Sequence, residues 1–361
     1  MPAFLSFLTT ETAPFSYPQT EIQDFMSENS PTDTWTRRSI LSVYQHSGIK
    51  TRFSVLPDFK EGSGNFFNRN STPTTSSRML TYATEAKKMA SRVVENIQLK
   101  LELTNSNLQN ITHLVWVSCT GQMAPGMEVE LVHQFKFSQE IQATAFNFLG
   151  CHGFFHALRF AKGIAESQPK AKILIVCLEL CTLHFQPKWD IDHILANAIF
   201  GDGAAGVIVS KEKLEENSIE VTHQSQAYFH FAADNMAWNI GETGFEMKLT
   251  QELPNSVESS IQHALEGLFK ISRLEIDKIS NWILHPGGKR ILDKIQEVLG
   301  IHQAQTQYSR KALERVGNVS SASVLFALEQ FLQSNPKPEN KAGVLMGIGP
   351  GLTIESASFV Y

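Results

Sequence analysis

Cysteine is scarce. Cys119, Cys151, Cys177 and Cys181 are the whole complement in 361 residues. No two stand at zinc-site spacing, no histidine pair supplies missing ligands, and no disulfide framework is visible, so a reducing cytoplasm is the expected setting. A basic excess is also missing. The chain carries 31 basic against 36 acidic residues, a net charge of −5. That excludes the broad basic face of a nucleic-acid binder and leaves any anionic ligand to a local patch. No uncharged apolar run approaches the ~18 residues of a membrane span. The N-terminus lacks the basic-then-apolar pattern of a signal peptide. There is no P-loop and no Gly-x-Gly-x-x-Gly at a strand end. No metal, nucleotide or flavin is therefore implied.

What is present is a core-forming chain, 42% apolar, that repeats itself. Residues 111–121 and 279–288 each read as a buried strand running into a polar turn, with His285 near the place of Cys119. Leu149-Gly150-Cys151 opens an amphipathic helical run, and Val316-Gly317-Asn318 opens another. Nearly equal intervals separate Cys119 from Cys151 and His285 from Asn318. Each half then offers an apolar strand (172–180 and 342–348) and a glycine-rich loop leading to a further strand (201–210 and 347–356). Residues 181–200 occur in the first half only, and an insertion beside a glycine loop often shapes a pocket. Alternating strands and helices indicate a layered α/β protein. We expect two pseudo-duplicated βαβαβ halves, 1–215 and 216–361, with a site at their junction. Apolar spacing predicts a helix over 78–101, and Pro254 starts another over 254–270. Residues 60–76 read as a surface loop and 334–340 as a connection.

Three residues suggest chemistry. Cys151 precedes a helix, where unpaired amides and the dipole favour thiolate. His285 ends a strand before Pro286-Gly287-Gly288, the kind of position where α/β sites form. Asn318 follows Gly317 at a helix start. Each alone fits a structural role: a buried cysteine, a strand-end histidine, an N-cap. Together they form an acyl-transfer set. Cys151 would carry an acyl thioester. His285 would stabilise the thiolate as imidazolium. His285 and Asn318 would donate to the oxygen on which an enolate charge builds. Loss of CO2 from a malonyl thioester needs no general base.

The blocks GCHGFFHALRFAK, FGDGAAGVIV, WILHPGGKRIL, GNVSSASVLFAL and GIGPGLTIE resemble, in order, those of type III polyketide synthases, over roughly residues 35–361. The resemblance implies a thiolase-like fold in a five-layered αβαβα arrangement. It implies an acyltransferase that uses acyl-CoA and malonyl-CoA without a cofactor. It also implies a homodimer, with residues 121–132 at the interface. A family methionine that reaches the neighbouring site corresponds to Ala124, beside Met123. Carried over by position, Cys151, His285 and Asn318 match the catalytic triad. Phe200 matches one gatekeeper phenylalanine and Met247 replaces the other. Cys119, Cys181, His184, Trp238 and Ser320 fall at pocket positions, the first three at threonines of plant chalcone synthases. Glu179 matches a carboxylate linked to aldol cyclisation, with Cys119 in place of its threonine partner, and Pro350 would wall the cyclisation cavity. Arg37, Arg38 and Lys50 lie near where the family binds CoA phosphates. The basic positions of plant enzymes read Ser39, Ser42 and His46 here.

Residues 118–126, 178–187 and 234–249 look like bacterial members that use fatty acyl starters and make alkylpyrones or alkylresorcinols. The expectation is a medium- or long-chain acyl-CoA starter and an alkylpyrone, with alkylresorcinol second. The alternative is a single-condensation enzyme like ketoacyl-ACP synthase III, which shares the triad but usually carries a His-Gln-Ala-Asn block. A catalytically silent thiolase-fold partner would lack the nucleophile.

Overall fold

A computed structural model describes residues 3–60, 64, 66–67, 72–334 and 342–361. About half of the expected 60–76 loop (61–63, 65 and 68–71) and residues 335–340 of the expected connection lie outside these residues, and 75–76 already belong to a helix. The first half comprises β1 (Ala3–Thr12), β2 (Phe15–Pro18), α1 (Gln19–Asn29), α2 (Thr34–Gln45), β3 (Thr51–Ser54), α3 (Thr75–Glu102), β4 (His113–Ser118), α4 (Met127–Gln134), β5 (Gln142–Asn147), α5 (Gly153–Ser167), β6 (Lys172–Leu180), α6 (Ile191–Ile199) and β7 (Asp202–Ser210). The second comprises β8 (Ile219–Tyr228), β9 (Met236–Gly241), β10 (Gly244–Leu249), α7 (Leu253–Ser272), β11 (Asn281–Leu284), α8 (Lys289–Leu299), α9 (Gln307–Val316), α10 (Ser323–Gln333), β12 (Ala342–Gly349) and β13 (Thr353–Val360).

The duplication is written in the strand order. Nine strands run β11-β12-β13-β8-β1-β7-β6-β4-β5. From the β8–β1 junction outward, each half repeats one scheme: two antiparallel pairings, then a parallel one. β5 has no counterpart in the second half. The apolar faces resolve the layers. One core cluster joins α5 and α10 to strands of both halves. A second packs α3 on the first half, and a third packs α7 and α8 on the second. The order is α, β, α, β, α, the five-layered thiolase-like arrangement.

Local sequence accounts for the elements. α3 buries Tyr82, Ala86, Met89, Val93 and Ile97 along one stripe, and its cap Thr74 accepts from the Ser77 N–H. α7 begins at Leu253-Pro254, where proline's missing donor costs nothing. β6 is buried along almost its whole length, as a strand covered on both faces must be. The 181–200 insertion folds as a 3-10 turn, Cys181–His184, followed by α6.

Candidate active site

The nucleophile sits on a sharp turn. Beyond β5, Phe148 and Gly150 both adopt positive φ (61° and 81°). This delivers Cys151 to the start of α5. At Gly150 only glycine fits, because a Cβ would lie 2.6 Å from Pro350 Cδ. Cys151 is 2% exposed. Burial pushes its thiol up to about 12, opposed by hydrogen bonding to Ser320 and Asn318. Desolvation of the buried sulfur thus opposes the thiolate that a helix start favours.

His285 leaves β11 with its N–H on Met346 O at 2.7 Å. It is buried, and among the described residues neither ring nitrogen has a partner. Burial pushes it down to about 3, so histidine and thiol rest in their neutral forms. Asn318 lies between Gly317, the α9 cap with φ of 71°, and a 3-10 turn over Ser320–Ala322. Its Oδ1 accepts from Ser320 N (2.9 Å) and Ser323 Oγ (3.2 Å). The amide orientation is therefore set. Nδ2 is thus the end that faces Cys151, and it also makes a long 3.4 Å approach to Gly287 O. The backbone of Asn318 is stitched to Ile199 O and the Gly201 N–H on either side of Phe200. Capping and catalytic roles coexist in this one side chain.

Two cavities approach this site: an outer one lined by His285, and an inner one lined by Ser320, whose hydroxyl hydrogen-bonds with Cys151. The inner one, ≈ 50 Å³, is lined by Cys119, Cys181, His184, Phe200, Trp238, Met247 and Ser320, with several residues of the 181–200 insertion. The outer one, ≈ 230 Å³, is lined by His285, Gly287, Ser42, His46, Lys289 and Arg290. One face of the β9–β10 hairpin serves both: the cross-strand pair Trp238–Met247 lines the inner cavity, and the pair Met236–Leu249, two residues further along the same face, lines the outer.

Much of the inner lining is already hydrogen-bonded, with Arg52 Nη2 and His193 Nε2 left without a partner among the described residues. His184 Nδ1 accepts from the Phe245 N–H (2.9 Å), so Nε2 carries the proton and donates to Thr120 O (2.7 Å). The imidazole is neutral, in keeping with burial pushing it down to about 3. It stacks on Phe245 with centroids 4.2 Å apart. Trp238 Nε1 donates to Cys119 O at 2.7 Å. Thr182 donates to Asp202 at 2.6 Å.

Glu179 is fully buried behind this lining. Burial raises it above the usual carboxylate range, although four donors oppose the shift. They are Cys119 N (3.0 Å), Cys119 Sγ (3.3 Å), Thr120 Oγ1 (2.8 Å) and Ser321 Oγ. The Cys119 thiol also meets Ser320 Oγ at 3.2 Å. A chain Glu179–Cys119–Ser320 therefore persists with sulfur in its centre.

Residues 3–213 match the family model of chalcone and stilbene synthases, N-terminal domain, and residues 220–360 match the C-terminal domain. The chain belongs to the chalcone and stilbene synthase family. It is a type III polyketide synthase of bacterial character, and so an acyltransferase. The alpha-pyrone synthesis polyketide synthase-like Pks18 of Mycobacterium tuberculosis is 29% identical over 332 residues, covering 91% of this chain and 83% of that protein. The C-terminal type III polyketide synthase domain of Steely1, a type I/III hybrid from Dictyostelium, superposes with a TM-score of 0.90 at 25% identity, covering 100% of this chain and 99% of that one. The 1,3,6,8-tetrahydroxynaphthalene synthase of Streptomyces coelicolor, a bacterial type III enzyme, gives 0.86 at 25% identity, covering 99% of both chains.

Within this type III synthase three expected positions fall elsewhere. Arg37 and Arg38 are exposed on α2, and Lys50 is paired with Glu314. None of the three lines either triad cavity. The cations of the outer cavity are Lys289 and Arg290, which follow the His-Pro-Gly-Gly turn directly. Pro350 packs against Gly150 behind the nucleophile and not along the inner cavity. Met123 packs on its own chain's core, while Ala124 and Pro125 are exposed. Sequence reading also passed over Thr120, Ser321 and Phe245. The first two are immediate neighbours of Cys119 and Ser320, which was the available signal. Among the described residues no helix is long and apolar enough to cross a membrane, and no cluster of three His, Cys, Asp or Glu side chains could hold a metal.

Proposed function

We propose that this synthase condenses malonyl-CoA iteratively onto an aliphatic acyl starter held on Cys151 and releases mainly an alkyl α-pyrone. The observation that carries the reading is the pair of cavities. His285 lines an outer cavity with Lys289 and Arg290, suited to a CoA arm, and Ser320, which hydrogen-bonds with Cys151, lines an inner cavity that is mostly apolar and whose polar groups are largely engaged. Proton transfer from Cys151 to His285 would produce a thiolate–imidazolium pair, each charge offsetting what burial costs the other. Sulfur attacks the acyl-CoA carbonyl, and the CoA thiolate leaves with the proton from His285. Malonyl-CoA then loses CO2. Its enolate oxygen receives hydrogen bonds from Asn318 Nδ2 and His285, and its carbon attacks the acyl thioester, freeing Cys151. For each further round the extended chain passes from CoA back to Cys151, and at the last an enol oxygen attacks the thioester carbonyl, breaking the C–S bond so that the thiolate leaves and takes up the enol proton as the pyrone is released.

Several features support an aliphatic starter. Thr120, Thr182, His184 and Trp238 spend their donors on the protein itself, and Cys119 and Cys181 offer thiols. A phenol hydroxyl would enter without a partner, which is costly. The small inner cavity favours the shorter aliphatic chains. A pyrone is favoured over a resorcinol because the centre of the Glu179 chain is a thiol, a weak donor. The name of the mycobacterial relative points the same way. No cofactor beyond CoA thioesters is called on. We further place the enzyme in the cytoplasm, in accord with four free buried cysteines, as a homodimer with residues 121–132 at its interface, which sedimentation at micromolar concentration tests. The function is tested by competing coumaroyl-CoA against aliphatic acyl-CoAs in the presence of malonyl-CoA, with mass spectrometry of products. A clear preference for coumaroyl-CoA defeats the starter assignment. A single β-ketoacyl product would indicate a ketoacyl synthase instead.

A further inference from the structure

The inner cavity has a third neighbour. A cavity of ≈ 400 Å³ lies between α1 and the segment after the Cys181–His184 turn, lined by Phe25, Asn29, Phe67, Pro187 and Trp189, and by Phe185. Phe185 is the one residue that also lines the inner cavity among those described. Its ring is held between Phe59 on the inner side (6.2 Å between centroids) and Phe25 and Phe67 on the other (5.7 and 5.1 Å), all edge-on. Phe59 also meets Phe25 (5.2 Å) and Phe67 (6.0 Å), so the separating wall is a cluster of four aromatic rings in which Phe185 is the side chain that both cavities share. Its backbone is anchored independently, since Phe185 O accepts from Arg78 Nη1 at 2.9 Å.

We propose that Phe185 is the stopper that sets starter length, and that the 400 Å³ cavity is a blocked continuation of the acyl site. The inference rests on the acyl-CoA reading above. An acyl chain loaded on Cys151 fills the ≈ 50 Å³ inner space after a few methylenes and meets the Phe185 ring. Removing the ring joins the spaces without exposing a polar group of the wall. The added chain would lie against Phe25, Phe67 and Trp189 in a cavity that Glu28, Asn29 and Ser30 also line. Each buried methylene is then worth roughly fourfold in binding.

The test compares kcat/KM for dodecanoyl-CoA and hexanoyl-CoA, with malonyl-CoA, in wild type and variants. Wild type should favour hexanoyl-CoA. Phe185→Ala should raise the dodecanoyl-to-hexanoyl ratio at least about tenfold, a conservative share of the six extra methylenes. Phe185→Leu, which keeps the core filled and decides the matter if the alanine variant does not fold, should give an intermediate rise. Phe331→Leu, in the core cluster between the two halves, should leave the ratio unchanged. Adding Asn29→Trp to Phe185→Ala should refill the far cavity and restore the wild-type ratio. An unchanged ratio in folded Phe185→Ala or Phe185→Leu overturns the inference, as does a raised ratio that survives Asn29→Trp. If wild type loads no acyl-CoA at all, the enzymatic reading fails instead, and the two failures are distinct.

Discussion

Asn318 supports two roles that a pair of substitutions can separate. Its Oδ1 caps the following turn through Ser320 N and Ser323 Oγ, while its Nδ2 is the donor that faces Cys151. Asn318→Ala removes both functions. The lost cap costs about 1 kcal/mol, which lowers the Tm of a chain this size by no more than about 2–4 °C. The lost donor should slow malonyl-CoA decarboxylation about 100- to 1000-fold, the usual effect of one oxyanion-hole donor. Asn318→Asp keeps an acceptor for Ser320 and Ser323 and so should keep the Tm, yet it presents an oxygen where Nδ2 stood. It should lose decarboxylation at least as severely. Acyl loading, followed by mass of the intact acyl-enzyme, should suffer less in the alanine variant, because the thioester oxygen carries less charge than the enolate. CO2 release from malonyl-CoA, the rate of acyl-enzyme formation and thermal melting are the three readouts. Equal losses in loading and decarboxylation in Asn318→Ala, or retained decarboxylation in Asn318→Asp, would refute the role given to Nδ2.

Cys151→Ala should abolish acyl-enzyme formation and product while leaving the far-ultraviolet spectrum of the fold intact; an acyl-enzyme on the variant would show the nucleophile to be misassigned. Lys289→Ala with Arg290→Ala should raise KM for acyl-CoA about tenfold, two exposed charge contacts to phosphates being worth roughly 1 kcal/mol or less apiece, whereas Arg37→Ala with Arg38→Ala should leave KM alone; steady-state kinetics at low salt decides between the two pairs. Glu355, buried beside Arg159 and His156, is pushed up to about 7 by burial against the pairing with Arg159. Both the folded and the unfolded chain hold the proton below about 4.5; above it the unfolded chain ionises first, so stability should fall by up to about 3 kcal/mol as pH rises from about 4.5 to about 7. Glu355→Gln should flatten that decline in urea melts, and an unchanged slope would exclude Glu355 as its source.

The triad and the duplicated halves are legible in the chain itself, because they lie on strong local signals. A glycine before Cys151, a Pro-Gly-Gly after His285 and a glycine before Asn318 each mark a chain reversal at the end of an element. The same kind of signal places β6, α3 and α7 within a few residues. Strand pairing bears out the repeat as a symmetric order about β1 and β8. What the sequence could not carry was everything that depends on which surfaces close upon one another. The surroundings of Cys151 are one case: a helix start argues for thiolate, but the sulfur itself is buried, and only the fold brings in the desolvation that opposes it. The partners of Glu179 are another, since Thr120 and Ser321 reach it from strand and turn positions far apart in the chain. The cations at the outer cavity, Lys289 and Arg290, come from the start of α8, while α2 with its cap supplies Ser42, Val43 and His46 there and neither of its arginines. The length of the acyl site depends on Phe185 standing between two cavities, a property of packing across α1 and the insertion that no local pattern encodes.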